Sequence, residues 1–228
     1  MNILALDTAT GVFSAALLTE TGTWYTEINA GSRHSELLME CIDGLFKLAS
    51  LAPADLKLVT CMKGPGSFTG LRIGFSTAKG LSMAQGIPLV SVPTLDCMAH
   101  SLSIWPGIII PLIDAKKGCF FSALYRGSLR LTNYFDLPPE NITDEAEKTK
   151  LFADEPIILT GPGADLFFSR LPPHSPFEHV VVSPESKRGK AWELLEIAKS
   201  AKIEDMGEID SGPIYLRKSD AELNRQNH

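Results

Sequence analysis

The chain has 228 residues, of which 44% are hydrophobic and 21% are charged, a balance typical of an ordinary globular protein. This length accommodates one large domain or two smaller lobes, each with its own core. The formal net charge is −6, and the lysines and arginines form no cluster of the kind that marks a nucleic-acid footprint. We therefore expect no direct, tight binding of a nucleic acid by this chain alone.

The cysteine pattern and the N-terminus predict a cytoplasmic protein. The cysteines lie singly in apolar stretches, without the C-x-x-C spacing of zinc and redox sites, which is typical of buried thiols in a reducing compartment. The chain starts directly with a strand-like segment, so we expect no signal peptide. No apolar run approaches the roughly 20 residues that a membrane helix requires. The four cysteines are Cys41, Cys61, Cys97 and Cys119.

The predicted elements of the first half recur in the second half. A strand ending in Asp7 is followed by a tight turn, a second strand, a short glycine turn and a third strand. A strand ending in Asp114 opens the same series. In both halves a further apolar strand then leads into Gly-Pro-Gly and a helical run, at residues 64–66 and 161–163. This order favours a duplicated α/β lobe.

A duplicated mixed sheet that starts with a hairpin, and whose first strand ends in aspartate, is the plan of the actin, Hsp70 and sugar-kinase superfold. We predict a two-lobe α/β protein of that class, with lobes at residues 1–103 and 104–228. The boundary lies at Ser-Ile-Trp-Pro-Gly, residues 103–107, where proline and glycine end one pattern. We expect the C-terminal segment to return to the first lobe.

A glycine-rich turn between a strand and a helix is the most informative segment of the chain. It reads Gly-Pro-Gly-Ser-Phe-Thr-Gly-Leu-Arg-Ile-Gly over residues 64–74. Such a turn aims backbone N–H groups at the helix start, and no Asp or Glu occurs over residues 56–95, so the position suits an anion. Close packing of the helix on its sheet is the alternative explanation of the glycines.

Two stronger phosphate motifs are excluded at this turn. A P-loop requires Lys and then Ser or Thr after its last glycine, whereas Leu71 and Arg72 stand there. The dinucleotide fingerprint requires a third glycine where Thr69 stands. For the strand-end aspartates, capping of the next turn by the side chain is the alternative to anion chemistry. The candidate nucleotide- or anion-binding residues are Asp7, Gly64, Gly66, Ser67, Asp114, Gly161 and Gly163.

The sequence of the glycine turn resembles the characteristic motif of the TsaB (YeaZ) family. Residues 2–10, 34–38 and 213–222 are similar to that family as well. Because the matches run in order from residue 2 to residue 222, the resemblance covers the chain. It implies a degenerate actin-like ATPase fold that acts as a non-catalytic scaffold in tRNA N6-threonylcarbamoyladenosine synthesis. The implied partners are the catalytic paralogue TsaD, in a heterodimer, and the ATPase TsaE. It further implies contact with tRNA only through the complex, and a homodimer when TsaD is missing.

The resemblance also implies that catalysis resides in the partner. TsaD binds its metal through a His-x-x-x-His pair, and the corresponding positions here are Thr94 and Met98, which do not replace imidazoles. We expect no independent activity, no metal, and no cofactor beyond weak ATP or ADP binding at a shared interface. The alternative is a small-molecule kinase or ATPase that uses Asp7, Asp114 and the glycine turns directly. A glycoprotease-like peptidase is a weaker alternative, since no H-E-x-x-H or G-x-S-x-G motif occurs.

Two predicted helices of the first lobe form the candidate partner surface. The helix over residues 35–51 has a broad apolar side, and the helix over residues 70–85 is dense in small residues. An interior helix glycine costs about 1 kcal/mol relative to alanine, so close packing against a partner helix is a reason to keep it. Packing on the lobe's own sheet is the alternative. The candidate interface residues are Leu37, Leu38, Cys41, Leu71, Arg72, Gly74, Phe75 and Ala78.

Overall fold

The structure, a computed structural model, describes residues 1–148, 155–171, 175, 177, 179–200 and 212–217. The chain divides into two compact units. Unit 1 comprises residues 1–97 and 188–214, and unit 2 comprises residues 98–187 and 215–228. The end of the C-terminal motif, residues 218–222, lies outside the described residues.

The helices of the described chain are short to medium in length, and none of them is long and apolar enough to cross a membrane. The second helix starts two residues before the predicted position because the Ser67 side chain caps it, its Oγ accepting from the Gly70 N–H at 3.2 Å. The helices are α1 (His34–Ala49), α2 (Phe68–Gln85), α3 (Thr94–His100), α4 (Pro139–Lys148), α5 (Ala164–Phe168) and α6 (Ala191–Ser200).

Unit 1 is built on a five-stranded mixed sheet. The first three strands form an antiparallel meander, and the last two run parallel to the first strand. The parallel strands are reached through helical connections, as parallel pairing requires. The strands are β1 (Ile3–Asp7), β2 (Val12–Leu18), β3 (Thr23–Asn29), β4 (Leu58–Gly64) and β5 (Leu89–Pro93), in the order β3-β2-β1-β4-β5.

Helices cover both faces of this sheet, which explains why β1 reads as an unbroken apolar run. Leu4 and Leu6 point into a core beneath α1 and α2, whereas Ile3 and Ala5 point into a second core beneath α6. The side of α6 that packs there has helical spacing, since residues 191, 194, 195 and 198 are all buried.

Unit 2 repeats the topology of unit 1. Its central strand pairs antiparallel with the strand that follows it in the hairpin and parallel with the strand that precedes the second glycine turn. This repetition confirms the duplicated α/β class predicted from the sequence. The strands are β6 (Ile108–Lys116), β7 (Cys119–Ser122), β8 (Tyr125–Arg126), β9 (Leu129–Arg130), β10 (Phe135–Leu137), β11 (Ile157–Thr160) and β12 (Val180–Val182), with the path β10-β7-β6-β11-β12 and with β8 pairing β6 and β9.

The core of unit 2 lies between this sheet and its helices. Inward residues of β6 and β11 pack with Ile142 of α4 and Phe167 of α5. Phe167 meets Phe120 of β7 edge to face, with ring centroids 5.4 Å apart, the geometry that aromatic quadrupoles favour.

Close packing accounts for the glycines at the start of α2. A Cβ on Gly66 would overlap the carbonyl oxygen of Ala9, and a Cβ on Gly70 would overlap that of Thr8. Gly74 faces Thr8 in the same way, because its Cβ would overlap the Thr8 Oγ1. The Thr8 hydroxyl donates to the Gly70 carbonyl at 2.7 Å. The β1–β2 turn therefore lies directly on the glycine side of the helix.

This packing predicts opposite effects for two glycine substitutions on α2. Gly70→Ala forces the β1–β2 turn away and should lower the free energy of unfolding by about 1–3 kcal/mol, the usual range for overpacking. Gly80→Ala adds a Cβ that no described residue outside the local helix backbone approaches within 4 Å, and it should raise the free energy of unfolding by about 1 kcal/mol. Urea denaturation of the two variants measures both values. If both substitutions changed the free energy of unfolding in the same direction and by the same amount, the result would contradict this packing.

Candidate functional site

Asp7, the strand-end aspartate of unit 1, is buried and engaged on both carboxylate oxygens. Its Oδ1 accepts from the Ala9 N–H at 3.0 Å, which closes the turn after β1. Its Oδ2 accepts from the Lys190 N–H at 2.9 Å, a bond that joins residues 183 positions apart in the chain. Asp7 therefore caps its own turn and also holds the start of α6.

Asp7, Ser14 and Glu27 are hydrogen-bond acceptors that lie side by side on three neighbouring strands, and we call these three residues the acceptor row. The register places Asp7 opposite Ser14 and Ser14 opposite Glu27. They accept from three consecutive backbone N–H groups, those of residues 189–191. A helix start has no partners of its own for such groups, and it attracts negative charge. The donor–acceptor distances are 2.9 Å to Glu27, 2.9 Å to Asp7 and 3.0 Å to Ser14.

The burial of Asp7 alters its titration. Desolvation raises the pKa of Asp7 from 3.8 to about 6, even though the two backbone N–H groups favour the charged form. The charge of Glu193 raises the pKa further, and the charge of Lys190 lowers it. The Lys190 ammonium is itself buried and lies 3.4 Å from the Glu193 carboxylate. The site can exchange a proton near neutral pH, but it lies beneath α6.

Asp114, the corresponding aspartate of unit 2, repeats the local turn but remains partly exposed. Its Oδ1 accepts from the Lys116 backbone N–H and its Oδ2 from the Lys116 ammonium, both at 2.8 Å. Burial by itself raises the pKa of Asp114, but the bonds from Lys116 together lower it below the ordinary value. The Asp114 side chain is 28% exposed, so solvent reaches it.

The glycine turn of unit 1 packs on the hairpin turn that follows Asp7, whereas the glycine turn of unit 2 packs on β6 beside Asp114. In unit 1, Ser67 donates its backbone N–H to the Ala9 carbonyl at 2.7 Å, which brings Gly66 and Ser67 to the Asp7 turn. In unit 2, Gly163 donates to the Leu112 carbonyl at 2.9 Å, and a Cβ on it would lie 3.0 Å from the Asp114 nitrogen.

Two further candidate glycines, Gly64 and Gly161, adopt positive φ angles of +103° and +89°. Both sit where another backbone crosses closely: a Cβ would lie 2.5 Å from the Ile214 carbonyl oxygen at Gly64, and 2.5 Å from the Leu112 carbonyl oxygen at Gly161. These two positions therefore require glycine both for the backbone conformation and for the space.

Within the described part of the chain, no group of three or more His, Cys, Asp or Glu side chains is arranged to hold a metal ion. Thr94 and Met98, which stand where TsaD was expected to carry histidines, are both buried in α3.

The structure separates the candidate partner residues into an interior set and an outer set. The outer set is Leu37 and Cys41, both half-buried, and Arg72, whose guanidinium stacks 3.8 Å above the Phe68 ring. The interior set packs on the unit's own sheet, the alternative that the sequence left open, so the surface proposed below leaves it out. The interior residues are Leu38, Leu71, Gly74, Phe75 and Ala78.

The titration of Asp7 predicts a pH dependence that Asp7→Asn removes. Because the folded-state pKa is raised, protonated Asp7 contributes stability that is fully present below about pH 3.8 and is lost as the pH rises through about 6. The free energy of unfolding of the wild type, minus that of Asp7→Asn, should fall by about 3 kcal/mol over this window. Chemical denaturation at a series of pH values measures the difference.

Asp114→Asn is the matched control for that experiment. The pKa of Asp114 is lowered, so its contribution is present above the unfolded-state pKa and is lost as the pH falls. The two wild-type-minus-variant differences should therefore slope in opposite directions. A flat difference for Asp7→Asn would contradict the buried, desolvated carboxylate.

A family model described as "TsaD: tRNA N6-adenosine threonylcarbamoyltransferase" matches residues 28–149, more than half of the chain. The "tRNA threonylcarbamoyladenosine biosynthesis protein TsaB" of Bacillus subtilis is 29% identical over 225 residues, which cover 97% of this chain and 96% of that protein. The protein of the same name in Escherichia coli is 33% identical over 129 residues, 55% of each chain.

The fold has solved counterparts. The structure titled "YeaZ from Pseudomonas aeruginosa" has a TM-score of 0.78 and 23% identity, and the match covers 94% of this chain and 99% of that one. The filament structure of AlfA from a Bacillus subtilis plasmid has a TM-score of 0.50 and 11% identity, over 89% of this chain and 100% of that one. These likenesses support the duplicated actin-like fold. The family match and the full-length relative together show that the chain belongs to the TsaD-like proteins and, among them, to the TsaB (YeaZ) family.

Proposed function

We propose that this chain is a non-catalytic scaffold subunit in the synthesis of tRNA N6-threonylcarbamoyladenosine and that α1 and α2 dock a TsaD-type partner. The names of its relatives support the pathway. The observation that carries the docking role is a pair of helix-interior glycines, Gly44 and Gly80, at which the packing of the described residues does not require glycine.

The two glycines lie on the helices that cover one face of the unit 1 sheet. Apart from the backbone of its own helix, a Cβ on Gly44 of α1 or on Gly80 of α2 would meet no atom of the described residues within 4 Å. Each glycine therefore lowers helix stability by about 1 kcal/mol without any steric reason inside the unit, in contrast to Gly70 and Gly74. A partner helix that approaches closely is the reason we infer, because helix axes come nearest where the residues between them are small.

The outer sides of the same helices carry large apolar side chains. Met39 and Leu48 of α1 are 56% and 71% exposed, and Met83 of α2 is 69% exposed. Half-buried Leu37 and Cys41 lie on the same side of α1 as Leu48 and Gly44, whereas Met39 lies on another side. Methionine and other apolar residues are enriched at the centres of protein interfaces, where they adapt to the partner's shape.

Charge favours a partner with the same pair of helices. The exposed charges of α1 are Glu36 and Glu40 together with the ion pair Asp43–Lys47, so α1 is acidic on balance. The charged residues of α2 are Arg72 and Lys79. A two-fold or pseudo-two-fold axis places α1 of one protein against α2 of the other, so that acidic and basic helices face each other. A paralogue with the same lobe provides that arrangement, and a second copy of this chain provides it when the paralogue is missing.

The acceptor row supports a role without catalysis. Asp7 already holds the start of α6 with one oxygen and its own turn with the other. In this proposal TsaD provides catalysis, TsaE joins the complex, and tRNA is bound through the assembly. Any ATP or ADP binds weakly at a shared interface.

Bulky substitutions at the two glycines test the docking surface. Gly44→Leu and Gly80→Leu should leave the isolated chain folded and raise its melting temperature slightly, since leucine is a better helix former than glycine and no described residue lies close to either position. They should weaken binding to the TsaD of the same organism by about 100-fold, because they prevent the close approach of helices. Calorimetry with the purified proteins measures the affinity. Gly11→Leu, at an exposed glycine outside the helices, is the control and should bind normally. Wild-type affinity in both helix variants would contradict the surface.

Reconstitution tests the scaffold role itself. The purified chain, given tRNA, ATP and threonylcarbamoyl-adenylate, should neither transfer the threonylcarbamoyl group nor hydrolyse ATP, because Asp7 is committed to α6. Addition of TsaD and TsaE should start transfer, and Gly80→Leu should reduce it. Transfer by the chain alone would contradict the scaffold role, and phosphorylation of a small molecule would favour the kinase alternative.

A further inference from the structure

Helix α6 covers the polar end of the sheet face on which it packs in unit 1. The hydrogen bonds that seat it come from its start, where the amides of residues 189–191 reach the acceptor row. The rest of the helix contributes apolar side chains to the core beneath it. Cys97 of α3 belongs to the same core, and its thiol donates to the Lys190 carbonyl, with 3.6 Å between sulfur and oxygen. Detachment of α6 therefore uncovers the acceptor row and Cys97 together.

The charged groups at the start of α6 are buried and loosely paired. The Lys190 side chain is 2% exposed, and its ammonium lies 3.4 Å from the Glu193 carboxylate, whereas a strong charge-assisted bond measures about 2.7–2.9 Å. Asp7 is as deeply buried as Lys190. Ionisation of Asp7 is therefore costly while α6 is in place. The titratable groups around Asp7 are Lys190 and Glu193 of α6, Cys97 of α3, and Glu27 with Tyr25 on β3 beyond Ser14.

The protonation of Asp7 depends on whether α6 is seated. With α6 in place, desolvation raises the pKa of Asp7 from 3.8 to about 6. With α6 detached, water reaches the carboxylate and the pKa returns toward the ordinary value. The seated form therefore holds the Asp7 proton about 100-fold more tightly than the detached form, since each pKa unit is tenfold.

We propose that α6 is a lid on the acceptor row, which protonation of Asp7 closes and ionisation of Asp7 loosens. Opening breaks the three amide bonds, hydrates the carboxylate and leaves the core beneath α1 and α2, on the opposite face of the sheet, intact. The advantage of the closed lid is full below about pH 3.8 and is lost as the pH rises through about 6. This role uses neither α1 nor α2, so it is independent of the proposed docking function.

Two buried thiols on opposite faces of the sheet test the lid. Cys97 lies beneath α6, whereas Cys61 lies beneath α1 and α2, and both are 0% exposed. In the full chain carrying Cys41→Ser and Cys119→Ser, 4,4′-dithiodipyridine labels each thiol as it becomes exposed, and mass spectrometry assigns the label. The labelling rate, divided by that of the denatured chain at the same pH, gives an opening constant for each thiol. The constant of Cys97 should exceed that of Cys61 and rise about 100-fold from pH 4 to pH 7. Equal constants for the two thiols, or no rise for Cys97, would overturn the proposal.

Substitutions in the acceptor row separate the proton from the hydrogen bonds. Asp7→Asn does not titrate, so it should flatten the pH profile of Cys97 labelling. Ser14→Ala is the matched control, because it removes the acceptor of the Ala191 amide and leaves Asp7 in place. It should raise Cys97 labelling at every pH and keep the rise with pH. A wild-type profile in Asp7→Asn, or a flat one in Ser14→Ala, would contradict the lid.

Glu193→Gln provides the test if Asp7→Asn fails to fold. The charge of Glu193 raises the pKa of Asp7, so its removal should move the midpoint of the Cys97 profile to lower pH. The Cys61 constant in the same sample reports global unfolding and should stay below that of Cys97. An unchanged midpoint in Glu193→Gln would overturn the assignment of the switch to Asp7.

Discussion

The seating of α6 on the acceptor row is the constraint on which unit 1 depends. Residues 188–200 are far in sequence from the sheet they cover, and three consecutive N–H groups at the start of α6 find acceptors on three adjacent strands. Without these acceptors the helix start would be buried with unpaired donors, each at a cost of about 1–3 kcal/mol. Glu27 also accepts from the Tyr25 hydroxyl and from Arg188, so the edge strand is part of the same network. The second apolar core of unit 1 closes only when α6 is in place.

Asp7 and Asp114 occupy corresponding positions in the two duplicated lobes and keep the same local hydrogen bond, but their surroundings differ. Asp7 and Asp114 both accept from the N–H two residues ahead. In unit 1 a distant helix then covers the carboxylate and raises its pKa, whereas in unit 2 Lys116 and solvent keep the carboxylate charged. The same motif therefore provides a buried structural group in one lobe and an exposed polar turn in the other.

The glycines of α2 have two physical roles on one helix. Gly70 and Gly74 admit the β1–β2 turn, and alanine at either position would clash with Thr8. Gly80 faces open space, so its cost in helix stability is not offset inside the unit. The amino-acid composition of α2 does not distinguish Gly70 and Gly74 from Gly80. Gly70 and Gly74 differ from Gly80 in what lies opposite each of them, and this difference is why we propose a docking surface on the outer sides of α1 and α2.

The sequence by itself determined the α/β class, the duplication, the glycine turns and the position of Asp7 at the end of β1, because these follow from local apolar periodicity and turn chemistry. The prediction that the matching strand ends at Asp114 was wrong, since β6 continues to Lys116. It also predicted the two helices of the first lobe to within two residues at each end. It did not determine which side of α2 is buried, since small residues occur on more than one side of that helix. Nor did it indicate the partner of Asp7, because the Lys190 N–H is a backbone group 183 residues away and has no signature in the sequence. Tertiary structure decided both points, since burial and long-range hydrogen bonds depend on which elements pack together.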